Sequence, residues 1–121
     1  MYKRGDKEFI LDMFISGQKI LEYIQGMTFD DFKKDSKTID AVVRNIEILG
    51  EAVKNISREI KEKYPEIEWR MIARMRDKVI HFYFGVDISI VWKTANADIP
   101  HLLEKLKTVI KNEGWENELE V

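Results

Sequence analysis

A chain of 121 residues, 45% hydrophobic and 35% charged, with six glycines and two prolines, has the make-up of one soluble globular domain spanning residues 1–121, too poor in breakers for a linker or a tail. The absence of cysteine excludes disulfides, thiolate catalysis and cysteine-held metal centres and fits a reducing cytoplasm. No apolar run approaches the roughly 20 residues of a membrane span. The charged start Met1–Glu8 does not read as a signal peptide, and a formal charge of −2 leaves a nucleic-acid binder only a local positive excess.

Apolar residues recur at helical spacing almost throughout. Phe9, Ile10, Met13, Phe14, Gly17, Ile20, Leu21 and Ile24 make the first stripe, and Gly26 suits its C-terminal stop. Thr28, with Asp31 three residues on, predicts a capping box opening a short helix, Asp standing where Glu or Gln is usual. The clearest stripe runs from Ile39 to Ile60. It predicts one helix from Ser36 to Lys63, capped by Ser36 or Thr38, about 40 Å long at 1.5 Å per residue. Gly50 inside it costs roughly 1 kcal/mol against alanine, which a tight approach by a neighbouring helix would explain.

Tyr64-Pro65 ends that helix. The next runs from Glu66 or Glu68 to about Ile80, burying Trp69, Ile72, Met75 and Val79, with Gly85 marking the exit. Asp87 caps a short helix carrying Ile88, Val91, Trp92 and Ala95. The last helix holds Ile99 to Ile110, with Pro100 in its first turn or at a kink and Gly114 at its end. Trp115–Val121 either docks through Trp115 or frays. Phe82-Tyr83-Phe84 is too short to count as a strand. The fold class is all-α: a compact bundle of about four main helices plus short ones.

Chemistry concentrates in Arg76-Asp77-Lys78-Val79-Ile80-His81-Phe82-Tyr83. One of only two histidines, a group able to move protons near neutral pH, sits five residues after a planar cation suited to phosphate. A phenol follows it by two. Arg70, Arg74, Arg76 and Lys78 form a local cationic cluster, although such clusters are commonly solvated helix faces. On one ideal helix Asp77 and His81 are neighbours, and Arg76 shares a face with Tyr83. Arg76 and His81 differ in direction by about 140°. Either the helix ends near His81 or a second copy of the chain completes the site, so a homodimer is expected. A histidine among aromatics is more often a half-buried, hydrogen-bonded residue than a catalyst, and Arg76 suits pairing with a glutamate; the residue types alone put this structural reading ahead of the catalytic one.

Several blocks in order resemble one family: Asn45-Ile46-Glu47-Ile48-Leu49-Gly50-Glu51-Ala52, Tyr64-Pro65-Glu66-Ile67, Trp69, Met75 to Asp87 with its Arg, four residues, His, one residue, Tyr arrangement, Ile90-Val91-Trp92 and Ile99-Pro100. The chain looks like the HepT-like branch of the HEPN superfamily over nearly its whole length. The resemblance implies a homodimeric helical bundle with its active centre between protomers. It also implies a metal-independent ribonuclease, acting as the toxin of a pair whose antitoxin is an MNT-type nucleotidyltransferase that attaches AMP to the motif tyrosine. Carried onto this chain, Arg76 and His81 are catalytic and Tyr83 is the modified residue. On physical grounds Asp77, a position where the superfamily also commonly has asparagine, is expected to orient the imidazole, and the local cationic cluster makes Arg70, Arg74 and Lys78 the expected contacts to RNA phosphates. No cofactor or metal is called for.

Other residues read as structural. Glu47 and Glu51 are one turn apart but lack the histidine partners of a bundle metal site. Glu51 is expected to reach across the bundle toward the basic cluster, for instance to Arg44 or Arg70. His101 reads as structural or exposed, and Trp69 and Trp92 as core. A competing function is a non-catalytic helical partner of a nucleotidyltransferase, in which Arg76 and His81 would bind nucleotide or phosphate without cleaving anything.

Overall fold

A computed structural model describes residues 4–83 and 87–119. The described chain is all helical: α1 (Asp6–Ile24), α2 (Phe29–Lys33), α3 (Ser36–Lys54), α4 (Arg58–Lys63), α5 (Trp69–Tyr83), α6 (Ile88–Lys93), a π-helical segment (Thr94–Asp98), α7 (Ile99–Asn112) and a terminal 3-10 turn (Glu116–Leu119). The four long helices carry the bundle. α1 packs on α3 and α7, and α3 packs on α5. Fully buried Ile10, Met13, Ile20, Val42, Ile46, Leu49, Val79 and Leu106 fill the space between them, the positions at which the stripes repeat. None of the described helices is long and apolar enough to cross a membrane.

Local signals act where they were read. Gly26 stops α1 in the left-handed region at φ 78°, where a side chain is strained. Thr28 Oγ1 accepts from the Asp31 N–H at 3.1 Å, and the Asp31 carboxylate accepts from the Thr28 N–H at 3.0 Å. Asp87 caps α6 by accepting from the Ser89 N–H. Trp92 packs against Phe29 and Phe32 of α2, and Trp115 packs on the core.

Four expectations need correction. The predicted 36–63 helix is two helices. The chain turns at Asn55–Ser57, where Ser57 Oγ caps α4 by accepting from the Ile60 N–H at 3.2 Å. The Asp6 carboxylate accepts from the Ser57 N–H at 2.8 Å and its hydroxyl at 2.6 Å. Ile56 and Ile60 stay buried across the turn, so the apolar stripe conceals the break. The cap of α3 is Asp35, not Ser36 or Thr38; it accepts from the Thr38 N–H at 3.0 Å. α5 runs past Ile80 to Tyr83. The last two predicted helices join into one rod, because the Ile99 N–H reaches back five residues to the Thr94 carbonyl. Pro100, with no N–H to give, disrupts the i→i−4 ladder at that point, and the π turn accommodates it. The assignment of Gly85 as the exit of α5 lies outside the described residues.

Lys63, Tyr64 and Glu113 tie the end of α4 to the end of α7. Lys63 Nζ sits 2.7 Å from the Glu113 carboxylate, which also accepts the Tyr64 hydroxyl. The hydrogen bond from Lys63, then that from Tyr64, holds the Glu113 carboxyl below its usual range. The bond to Glu113 raises Lys63, and burial raises the Tyr64 phenol. A depressed carboxyl contributes stability that is complete above its unfolded pKa and lost as pH falls through its folded one. Raised Lys and Tyr act in the opposite sense, losing their contribution only as pH climbs above their ordinary values near 10. Glu113→Gln is therefore expected to lower the melting temperature at neutral pH and to narrow its gap to the parent below about pH 4. Melting curves from pH 3 to 8 check this.

Candidate active site

α5 is amphipathic, with Ile72 and Val79 buried against the bundle. This orientation turns Arg76 toward α3. The absence of a side chain at Gly50 makes the contact possible: a Cβ there would lie 2.4 Å from Arg76 Cβ and 2.5 Å from its Cγ. The close approach of a neighbouring helix, one explanation open for this glycine, is the one found. The arginine stem lies on α3, with its Nε buried and without a partner. Arg76 Nη1 donates to Asp77 at 3.1 Å, and Nη2 lies 3.8 Å from the Glu51 carboxylate.

Glu51 therefore does reach across the bundle to the basic cluster, but to Arg76, with Lys54 at 4.0 Å, rather than to Arg44 or Arg70. Arg76 forms one wall of a cleft of about 310 Å³ between α1, α3 and α5, which Asp12, Arg44, Glu47 and Glu51 also line. Two arginines there face three carboxylates. No group of three or more His, Asp or Glu residues that could hold a metal occurs among the described residues, so nothing described completes a site around Glu47 and Glu51.

The cationic cluster read from sequence divides between two faces. Arg70, Arg74 and Lys78 are exposed and follow one another at steps of four along α5. Arg76 lies two residues from both Arg74 and Lys78, a turn of about 200° at 100° per residue, and so faces the other way. α5 remains helical through Tyr83, so His81, seven residues from Arg74, occupies the register of the exposed cations. Tyr83 occupies that of Arg76. The side chains of His81 and Tyr83 lie outside the described residues, and with them the orienting role expected of Asp77. His101 is exposed, as one of its two readings had it, and lines a separate hollow with Met71, Asp98 and Lys105.

In this all-α bundle α5 presses Arg76 onto Gly50 of α3 and carries His81 five residues further along its own length, an arrangement consistent with a HEPN-like domain. The chain belongs to the HepT-like ribonuclease family: the model described as "Ribonuclease HepT-like" matches residues 15–109. Among its relatives, a Thermococcus cleftensis protein named "Probable ribonuclease HepT" is 47% identical, covering 90% of this chain and 99% of its own. A candidate RNase of Methanocaldococcus jannaschii is 38% identical over 98% of both chains. A candidate RNase of Caldanaerobacter subterraneus is 45% identical, covering 78% of this chain and 84% of its own. No solved structure matches with significance.

Sequence reading did not find the Gly50–Arg76 contact or the Glu51–Arg76 pair. The available signal was that Gly50 and Glu51 stand together in one block of the resemblance.

Proposed function

We propose that this chain is a metal-independent endoribonuclease that works as a homodimer, with Arg76 and His81 as its catalytic residues. The observation that carries the reading is membership of the HepT-like ribonuclease family over residues 15–109, with both residues on one helix. RNA supplies its own nucleophile. The 2′-hydroxyl loses its proton and attacks phosphorus, the bond to the 5′-oxygen breaks, and that oxygen takes up a proton. His81 serves as the base for the first transfer or, as imidazolium, the acid for the second, and solvent exchanges the other proton. Arg76 offsets charge gathering on the phosphoryl oxygens. The products are a 2′,3′-cyclic phosphate and a 5′-hydroxyl.

Continuous helix through Tyr83 favours a site shared between two copies, because the backbone positions of Arg76 and His81 fall on different faces of one undistorted helix. The two carboxylates beside Arg76 do not prevent phosphate binding. Glu51, 62% exposed at 3.8 Å, makes a weak ion pair that a phosphate can displace. Asp77 adds a second, stronger contact at 3.1 Å that keeps the free guanidinium in place. The chain is further proposed to be the toxin of a toxin–antitoxin pair, silenced when an MNT-type nucleotidyltransferase attaches AMP to Tyr83. The bulk and negative charge of that group would close the site.

The test is incubation of purified, unmodified protein with RNA in EDTA, unmodified state verified by intact mass. Cleavage leaving cyclic phosphate ends is the expected result. Intact RNA would transfer the assignment to a non-catalytic partner of a nucleotidyltransferase.

A further inference from the structure

The grooves on opposite sides of α5 differ in charge. The cleft that holds Arg76 has more carboxylates than cations. The opposite groove, between α5, α6 and the π-helical segment, measures about 340 Å³ and is lined by Arg74, Lys78 and Lys93, with Asp98 its sole carboxylate. Among the described residues no ion pair engages any of those three cations. In a chain of net charge −2, unpaired cations gathered from two helices form a distinct positive surface.

The groove floor is apolar. Met71, Met75 and Ile90 line it, and Met71, 55% exposed, is accessible from solvent. Methionine is flexible and polarizable and adapts to flat surfaces of different shape. The volume lies at the small end of ligand pockets, about 300–1,000 Å³, enough for one nucleotide unit. The π-helical segment forms one end of the groove, and such segments recur at functional sites. Along α5 the cations advance from Arg74 to Lys78 toward the backbone position of His81, three residues further on.

We propose that this groove is a guiding track for single-stranded RNA. Phosphates lie on Arg74, Lys78 and Lys93, and a base lies against Met71, Met75 and Ile90, so that the strand is delivered to the His81 end of α5. Lys93, supplied by α6, is the residue that makes the track two-walled. The proposal rests on the ribonuclease reading above, and it separates strand binding from the Arg76 cleft.

Fluorescence anisotropy of a labelled single-stranded RNA, titrated with full-length His81→Ala protein between 50 and 300 mM salt, tests it. Each phosphate contact contributes about 0.7 to the slope of log affinity against log salt for single strands. Adding Lys93→Ala is expected to lower the slope by about 0.7, and combining it with Arg74→Ala and Lys78→Ala by about 2. Lys37→Ala, on the exposed start of α3, should leave the slope unchanged. If the parent cleaves RNA but the Lys93→Ala slope equals that of Lys37→Ala, the track is wrong and the ribonuclease reading stands. RNA neither bound nor cleaved would overturn both. Lost capture of the nucleotidyltransferase with RNA affinity intact would assign the groove to protein and overturn the track.

Discussion

Replacing His81 with alanine is expected to slow RNA cleavage in EDTA by about 10²–10⁴-fold, the usual contribution of a positioned acid or base. Arg76→Ala should cost about 10²–10³-fold, as loss of one donor to developing negative charge does. Arg76→Lys is the more informative change. It keeps a positive charge and most of the stem that lies on Gly50, but it loses the planar fork that can hold two phosphoryl oxygens. The melting temperature should stay near that of the parent while cleavage falls. His101→Ala, at the other histidine, should cleave as the parent does. Initial rates on a defined RNA, with melting curves for each variant, measure all four. Parent-like cleavage by His81→Ala would sink the assignment.

Mixing separates a shared site from one within a single chain. A dimer of an Arg76→Ala copy and a His81→Ala copy has one site lacking both groups and one site intact, provided each site takes Arg76 from one protomer and His81 from the other. Random mixing then restores about a quarter of parent activity, because half of symmetric two-chain assemblies are mixed and half their sites are whole. Sites within single chains would restore none.

Gly50→Ala is expected to destabilise the protein and weaken cleavage together. Helix propensity alone predicts a gain of about 1 kcal/mol for this change inside α3. The new Cβ would lie 2.4 Å from Arg76 Cβ, an atom fixed to the α5 backbone that no rotamer can move. Overpacking of this kind costs about 1–3 kcal/mol, so the clash outweighs the gain and α5 must shift away from α3. The shift displaces Arg76, and a misplacement near 1 Å can cost about 10²-fold in rate. The expected result is a melting temperature lower by a few degrees with a clear loss of cleavage. A rise in melting temperature would mean that α3 and α5 do not meet at Gly50.

Local signals explain most of what could be read in advance. Helical periodicity, the Thr28–Asp31 box, the Asp87 cap and the Gly26 stop depend on residues a few positions apart, so the chain displays them directly. The break at Asn55–Ser57 has one local signal, the Ser57 cap three residues before Ile60, and two features mask it. The stripe continues through it, and its partner, Asp6, lies 51 residues away. The join of α6 to α7 was hidden for another reason: Pro100 is as compatible with a helix start as with a π turn.

The candidate site divides along the same line. Sequence by itself determined an all-α bundle of the HepT-like family and singled out Arg76, His81 and Tyr83, because periodicity and motif spacing are properties of neighbouring residues. Only the tertiary structure decided that Arg76 rests on Gly50 beside Glu51 while Arg74 and Lys78 face a different groove with Lys93. Those contacts join α5 to α3 and to α6, and which faces meet is set by how the helices pack, not by the order of residues along any one of them.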